Sequence, residues 1–175
     1  MTDGAARAFP LAGGTMDYAA PDPVRAVEQQ GSIFVWIKVG ADAGTIAARA
    51  DPGTGAYDFW LWLGAGGQVA LYANYPDWQG AYSGPALPAV TWALLGVTWD
   101  EKTVAFYVDG KETGTAPADP AGLPRRRSSR FQVGADPSGE KVEPAGLIGS
   151  VMVYNRPLPA QEVSILHLGT RARFR

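Results

Sequence analysis

Residues 92–111 read WALLGVTWDEKTVAFYVDGK, and this stretch decides the fold. Within Thr103–Val108 the residues alternate strictly. Val104, Phe106 and Val108 share one face, and Ala105 and Tyr107 share the other, as a half-buried strand requires. Trp92–Trp99 before it is equally rich in β-branched and aromatic residues, and Asp100-Glu101-Lys102 between the two reads as a turn. Asp109-Gly110 is the strongest short hairpin signal in the chain, because a two-residue turn of this hand needs positive φ at both positions. The stretch is therefore two strands of an antiparallel meander and the turn into a third.

Working outward, the same pattern recurs. Strands are expected at 32–39 (SIFVWIKV), 44–49 (GTIAAR), 57–63 (YDFWLWL), 68–74 (QVALYAN), 111–116, 131–134 and 147–154. Gly64-Ala65-Gly66-Gly67 joins two of them through a tight turn. Runs 32–39 and 57–63 are apolar on both faces. This suits strands near the middle of a sheet, with one face in a core and the other under a loop or partner. Only 160–168 (AQEVSILHL), after Pro157-Leu158-Pro159, reads as a helix. Val163 and Leu166 fall on one face of it, with Ile165 and Leu168 beside them, so it caps the sandwich. The longest loop is 116–129. The 22 glycines and 14 prolines are spread along the chain in turns, and there is no repeat or domain-sized linker. The expected fold is all-β: a two-sheet antiparallel jelly-roll sandwich with one short C-terminal helix. A single domain spans 1–170, and a basic tail, 171–175 (RARFR), is mobile unless it docks.

Composition narrows the function. A chain of 175 residues is long enough for a two-sheet core. Its net charge of −2 gives no general attraction to polyanions, so nucleic acid is not an expected partner. Arg125-Arg126-Arg127 with Arg130 reads as a solvated loop. Charged residues are only 18% of the chain, as though a partner covered part of the surface. There is no cysteine. Residues 1–14 lack the basic and apolar regions of a secretory signal, and no apolar run approaches a membrane span, so no membrane insertion is expected.

The second half of the chain resembles the laminin-G-like/concanavalin-A-like lectin and glucanase family. The resemblance is carried by Trp92 with Val97-Thr98-Trp99-Asp100, Phe106-Tyr107-Val108-Asp109-Gly110-Lys111, Val133-Gly134-Ala135, Gly146-Leu147-Ile148 and Val153-Tyr154-Asn155-Arg156-Pro157-Leu158. Val35-Trp36-Ile37-Lys38 looks like an earlier family strand, and residues 14–18 look like the opening one. The resemblance spans roughly residues 30–168. It implies the jelly-roll fold and, in many members, glycan binding. Where the family commonly carries histidines this chain has Ala93 and Leu94. Where it often has an acidic pair this chain has Gly149 and Ser150. Both departures remove polar groups, so no cofactor is assigned and calcium, which needs several oxygen ligands, stays an open question.

Catalysis is not expected. Glycosidic hydrolysis needs two facing carboxyl groups, and strand alternation would write them as an E-x-D-x-E run, which is absent. Asp51, Asp77, Asp100, Asp109, Asp119 and Asp136 stand singly at turns. Asp58 lies within a strand and reads as solvent-facing. His167, the single histidine, has no cysteine to join it in a zinc site, and no serine-nucleophile or phosphate-loop motif occurs. No catalytic or metal-binding residue is assigned.

Residues 74–83 (NYPDWQGAYS) give the best binding signal. Tyr75, Trp78 and Tyr82 can stack on the C–H face of a sugar, while Asn74, Asp77 and Gln79 can exchange hydrogen bonds with its hydroxyls. The competing reading is a loop that folds its tryptophan onto the core, or a protein contact. Two strand pairs, Phe34 with Trp36 and Trp60 with Trp62, each share a face and read first as core. The expected function is a non-catalytic carbohydrate-binding or adhesion module. It would be extracellular or displayed on a phage or phage-like particle, with a glycan or host-surface polysaccharide as partner. The alternatives are a structural virion protein that contacts other virion proteins, with homo-oligomers in view, and a glycoside hydrolase.

Overall fold

The computed structural model describes residues 9–10, 16–19, 29–40, 43–50, 57–73, 80–124, 130–135 and 146–174. These form two six-stranded antiparallel sheets packed face to face as a jelly-roll sandwich. Sheet I has the order β1 (Phe9–Pro10), β12 (Gly146–Tyr154), β3 (Gly31–Val39), β8 (Trp92–Trp99), β9 (Thr103–Val108), β10 (Lys111–Pro117). Sheet II has the order β2 (Met16–Ala19), β11 (Arg130–Val133), β4 (Gly44–Ala50), β5 (Tyr57–Leu63), β6 (Gln68–Ala73), β7 (Gly80–Ala86).

The turns form for the reasons their residues suggest. Asp109 (φ 50°) and Gly110 (φ 79°) are both left-handed, as the β9–β10 hairpin demands. The Asp109 carboxylate also accepts a hydrogen bond from the Leu94 amide at 2.9 Å, tying the turn to the start of β8. Asp100 Oδ1 accepts from the amides of Lys102 and Thr103, each at 2.8 Å, and so closes the β8–β9 turn. Between β5 and β6, Gly66 and Gly67 take φ of 74° and 81°.

Alternation fills the space between the sheets. Ile33, Val35 and Ile37 of β3 and Val97 and Trp99 of β8 meet Phe59, Leu61 and Leu63 of β5 and Leu71 of β6, all buried. Each fully buried aliphatic or aromatic side chain of this kind contributes about 1.5–3 kcal/mol.

β7 is the strand that sequence reading left as loop. Gly80, Gly84 and Pro85 look like turn residues, but β7 is the edge of sheet II, where proline and glycine are tolerated. No helix among the described residues is long and apolar enough to cross a membrane.

The two outer faces of the sandwich differ. Sheet I is covered by helix α1 (Ala160–Thr170). A second apolar cluster forms beneath it, in which Val163, Leu158 and Phe174 pack on Phe34, Trp36, Leu94 and Tyr107. Ile165 and Leu168 do not join Val163 there; they are 61% and 56% exposed. At 3.6 residues per turn, Ile165 lies about 200° and Leu168 about 140° around the helix from Val163. Polar anchors hold α1. Trp36 Nε1 donates to Thr170 Oγ1 at 2.9 Å, and Ser164 Oγ donates to the Gly110 carbonyl at 2.9 Å.

The tail docks. Arg171–Arg173 turn as a 3₁₀ helix, and the Phe174 ring stacks on Trp36 (centroids 4.7 Å apart, 15° between planes) and leans on Trp92 at 5.0 Å.

Candidate functional site

The outer face of sheet II carries the candidate site. Three strands contribute to it through register. Trp60 of β5 lies opposite Ala48 of β4 on one side and Tyr72 of β6 on the other, and Tyr72 lies opposite Ala81 of β7. Two residues along β5, Trp62 lies opposite Thr45 and Ala70, and Ala70 opposite Ser83. Large aromatics on β5 and β6 are thus flanked by small residues on β4 and β7. The result is an open depression of about 410 Å³ lined by Trp60, Trp62, Tyr72 and Ala81. That volume falls within the ~300–1,000 Å³ of small-ligand clefts.

The aromatics hold one another. Trp60 and Trp62 meet edge to face at 4.8 Å, Tyr72 lies 5.9 Å from Trp60, and Tyr57 stacks on the other side of Trp60 at 5.5 Å. Trp60 Nε1 donates to Thr45 Oγ1 at 3.0 Å, which fixes the ring. Trp60, Trp62 and Tyr72 remain half-buried, so their surfaces are offered to solvent as well as to one another. A floor of this kind presents π faces for C–H surfaces, with hydroxyls and an indole N–H at its margins.

The sequence-based site residues distribute unevenly around this floor. Asn74, Tyr75, Asp77, Trp78 and Gln79 lie outside the described residues. They connect Ala73 at the end of β6 to Gly80 at the start of β7, and those two residues are in register. Tyr82 is described, and it points away from the depression. It is 6% exposed within the inter-sheet core, and its hydroxyl accepts a hydrogen bond from the Asp119 amide at 3.1 Å. Alternation on β7 sends Tyr82 inward and Ala81 outward. Sequence reading took the Trp60–Trp62 pair first as core. Tyr72 and Ala81 carry no individual signal, and only strand register brings them to the tryptophans.

Asp58 is not solvent-facing. It is fully buried, and its Oδ2 lies 2.8 Å from Nε of the equally buried Arg49 on β4, whose guanidinium carbon sits 5.6 Å from the Phe59 ring centre. A buried aspartate survives in a strand because a cation is buried with it. His167 belongs to the covered face. Its ring lies 5.7 Å from Trp36, and its Nε2 is 3.8 Å from Asp109 Oδ1. Tyr107, under the same helix, has its phenol pushed above its usual range by burial and by the neighbouring Glu112 carboxylate. Among the described residues no group of three or more His, Asp or Glu side chains gathers where it could hold a metal ion.

Comparison with known proteins places this geometry. No curated protein sequence matches the chain. Among solved structures, the CBM40 of the Ruminococcus gnavus IT-sialidase superposes with a TM-score of 0.74 at 15% identity, covering 91% of this chain and 96% of that one. The NanB sialidase of Streptococcus pneumoniae superposes with a TM-score of 0.75 at 18% identity. The match covers 90% of this chain, and the chain spans only 27% of that sialidase. The serotype D botulinum neurotoxin binding domain gives 0.69 at 13% identity, covering 93% and 41%. At such identities these likenesses show a shared fold. The sequence profile of the concanavalin A-like lectin/glucanases superfamily matches residues 12–164, and with the sandwich and strand order above it establishes that the chain belongs to that superfamily.

Proposed function

We propose that this domain is a non-catalytic carbohydrate-binding module whose ligand rests on the outer face of sheet II. One observation carries the reading: the depression floored by Trp60, Trp62 and Tyr72 lies on the sheet face that is not under α1. An aromatic floor suits the C–H face of a pyranose, and the small residues around it leave room for the ring. The loop residues Asn74, Tyr75, Asp77, Trp78 and Gln79 belong to the same reading, as hydrogen-bonding and stacking groups beside the floor. Tyr82 supports the floor from the core side. The CBM40 of Ruminococcus gnavus, whose fold this chain shares along nearly its whole length, is known bound to α2,3-sialyllactose, which favours glycan recognition by this architecture.

A glycan array tests the proposal, with wild type beside Trp62→Ala and Trp78→Ala. Binding abolished by Trp62→Ala supports the floor, and binding abolished by Trp78→Ala as well brings in the loop. Silence across the array, or hits that survive both changes, contradicts it. A second reading rests on the charge content of 18%: a structural protein of a phage or phage-like particle, with part of its surface covered by other proteins. Light scattering tests that reading, since a virion component of this kind is expected to form a closed oligomer.

A further inference from the structure

We infer that the depression on sheet II takes neutral saccharides and rejects sialylated or otherwise anionic ones. This rests on the reading of the depression as a sugar site and names its ligand class. The floor is built from Trp60, Trp62, Tyr72 and Ala81, with Thr45, Ala48, Ala70 and Ser83 beside them in register. These residues offer π faces, methyls and hydroxyls, and none carries a charge. The two ionic side chains of β4 and β5 are withdrawn from the surface. Arg49 and Asp58 are fully buried and paired with each other at 2.8 Å, so Arg49 does not present its charge to a ligand.

The loops at one end of the floor reinforce this. Residues 51–56 (DPGTGA) join β4 to β5, and 74–79 (NYPDWQ) join β6 to β7. The pairings Ala50–Tyr57 and Ala73–Gly80 bring both loops to the same end of the sheet. Each contains one ionisable side chain, Asp51 or Asp77, and neither contains a lysine or arginine. The basic stretch Arg125–Arg127 with Arg130 leads into β11, two strands away from β5. A carboxylate set on an apolar aromatic floor, near acidic loops and without a cation, loses hydration that nothing restores. A neutral pyranose loses only hydroxyl hydration at its edges, where hydroxyls and amides can replace it.

The test is a glycan array carrying neutral glycans beside their α2,3- and α2,6-sialylated forms, probed with the full chain and with Trp62→Ala at low and high salt. The expected result is binding to neutral members at least about tenfold tighter than to their sialylated partners. It should be insensitive to salt, because no ion pair forms, and lost in Trp62→Ala. Sialylated members bound equally or more tightly, with binding lost in Trp62→Ala, overturn the inference and leave the sugar site standing. Binding to no glycan, or binding kept in Trp62→Ala, overturns the sugar site and the inference with it.

Discussion

Two tryptophans two residues apart do different work. Trp60 is hydrogen-bonded to Thr45 and touched by Tyr57, Trp62 and Tyr72, so it is part of the scaffold as well as the floor. Trp62 has fewer ring partners. Trp62→Ala is therefore expected to weaken glycan binding at least tenfold, about 1.4 kcal/mol, while the urea midpoint moves little. Trp60→Ala is expected to lower both, as calorimetric titration and urea unfolding will show. Asp58→Asn leaves the Arg49 charge buried without its carboxylate partner, and a loss of about 3–5 kcal/mol of stability is expected. Arg49→Met with Asp58→Leu should recover most of that loss in the same unfolding experiment, because the pair is replaced by apolar volume. Asp58 was not legible in the sequence. Its partner lies nine positions back, on a neighbouring strand whose register shifts between Arg49 and Ala50, and no local pattern reveals that meeting. Trp60 and Trp62 were visible as a same-face pair, but which face was open depended on where the helix lay.

Helix α1 and the tail behind it form one device that closes sheet I. Phe174 fits between Trp36 and Trp92 because Gly149 on β12 has no side chain; a Cβ there would run into the Phe174 ring. Phe174→Ala is expected to lower stability by about 3 kcal/mol and to red-shift tryptophan emission as Trp36 and Trp92 become wetter. Gly149→Ala should expel the ring and give a similar shift. At the start of the helix, Arg156 donates to both carboxylate oxygens of Glu162, at 3.1 and 2.6 Å, and this holds the Glu162 carboxyl below its usual range. The contribution of this exposed pair is present above the ordinary glutamate pKa and fades as pH falls through the lowered one. Acid titration followed by hydrogen exchange of the first turn of α1 should show it loosening only on the acidic side of that range.

The meander from β8 through β10 and the existence of α1 were legible, because alternation, the Asp-Gly turn and the Pro-Leu-Pro stop act locally. The outward turn of Ile165 and Leu168 and the strand at Gly80–Ala86 were not. The first is decided by which face the sheet covers, and the second by pairing at an edge where glycine and proline are tolerated.

At the scale of the whole molecule, the sandwich uses its two outer faces differently. One is sealed by the chain's own C-terminus, and the other presents aromatic residues around a shallow depression. That asymmetry locates the site without an ionic or metal-binding cluster, and it agrees with a composition low in charge. It also explains why Phe34 with Trp36 and Trp60 with Trp62, equivalent as sequence patterns, have different fates: the first pair lies beneath α1 and the second faces outward.

The most direct measurement is a ¹H–¹⁵N spectrum of the tryptophan indole N–H groups, recorded while the strongest glycan from the array is added. The expected result is that Trp60 and Trp62 shift with saturable dependence on ligand, while the buried Trp36 and Trp99 stay still. Static Trp60 and Trp62 resonances during demonstrated binding would contradict a sugar site on sheet II.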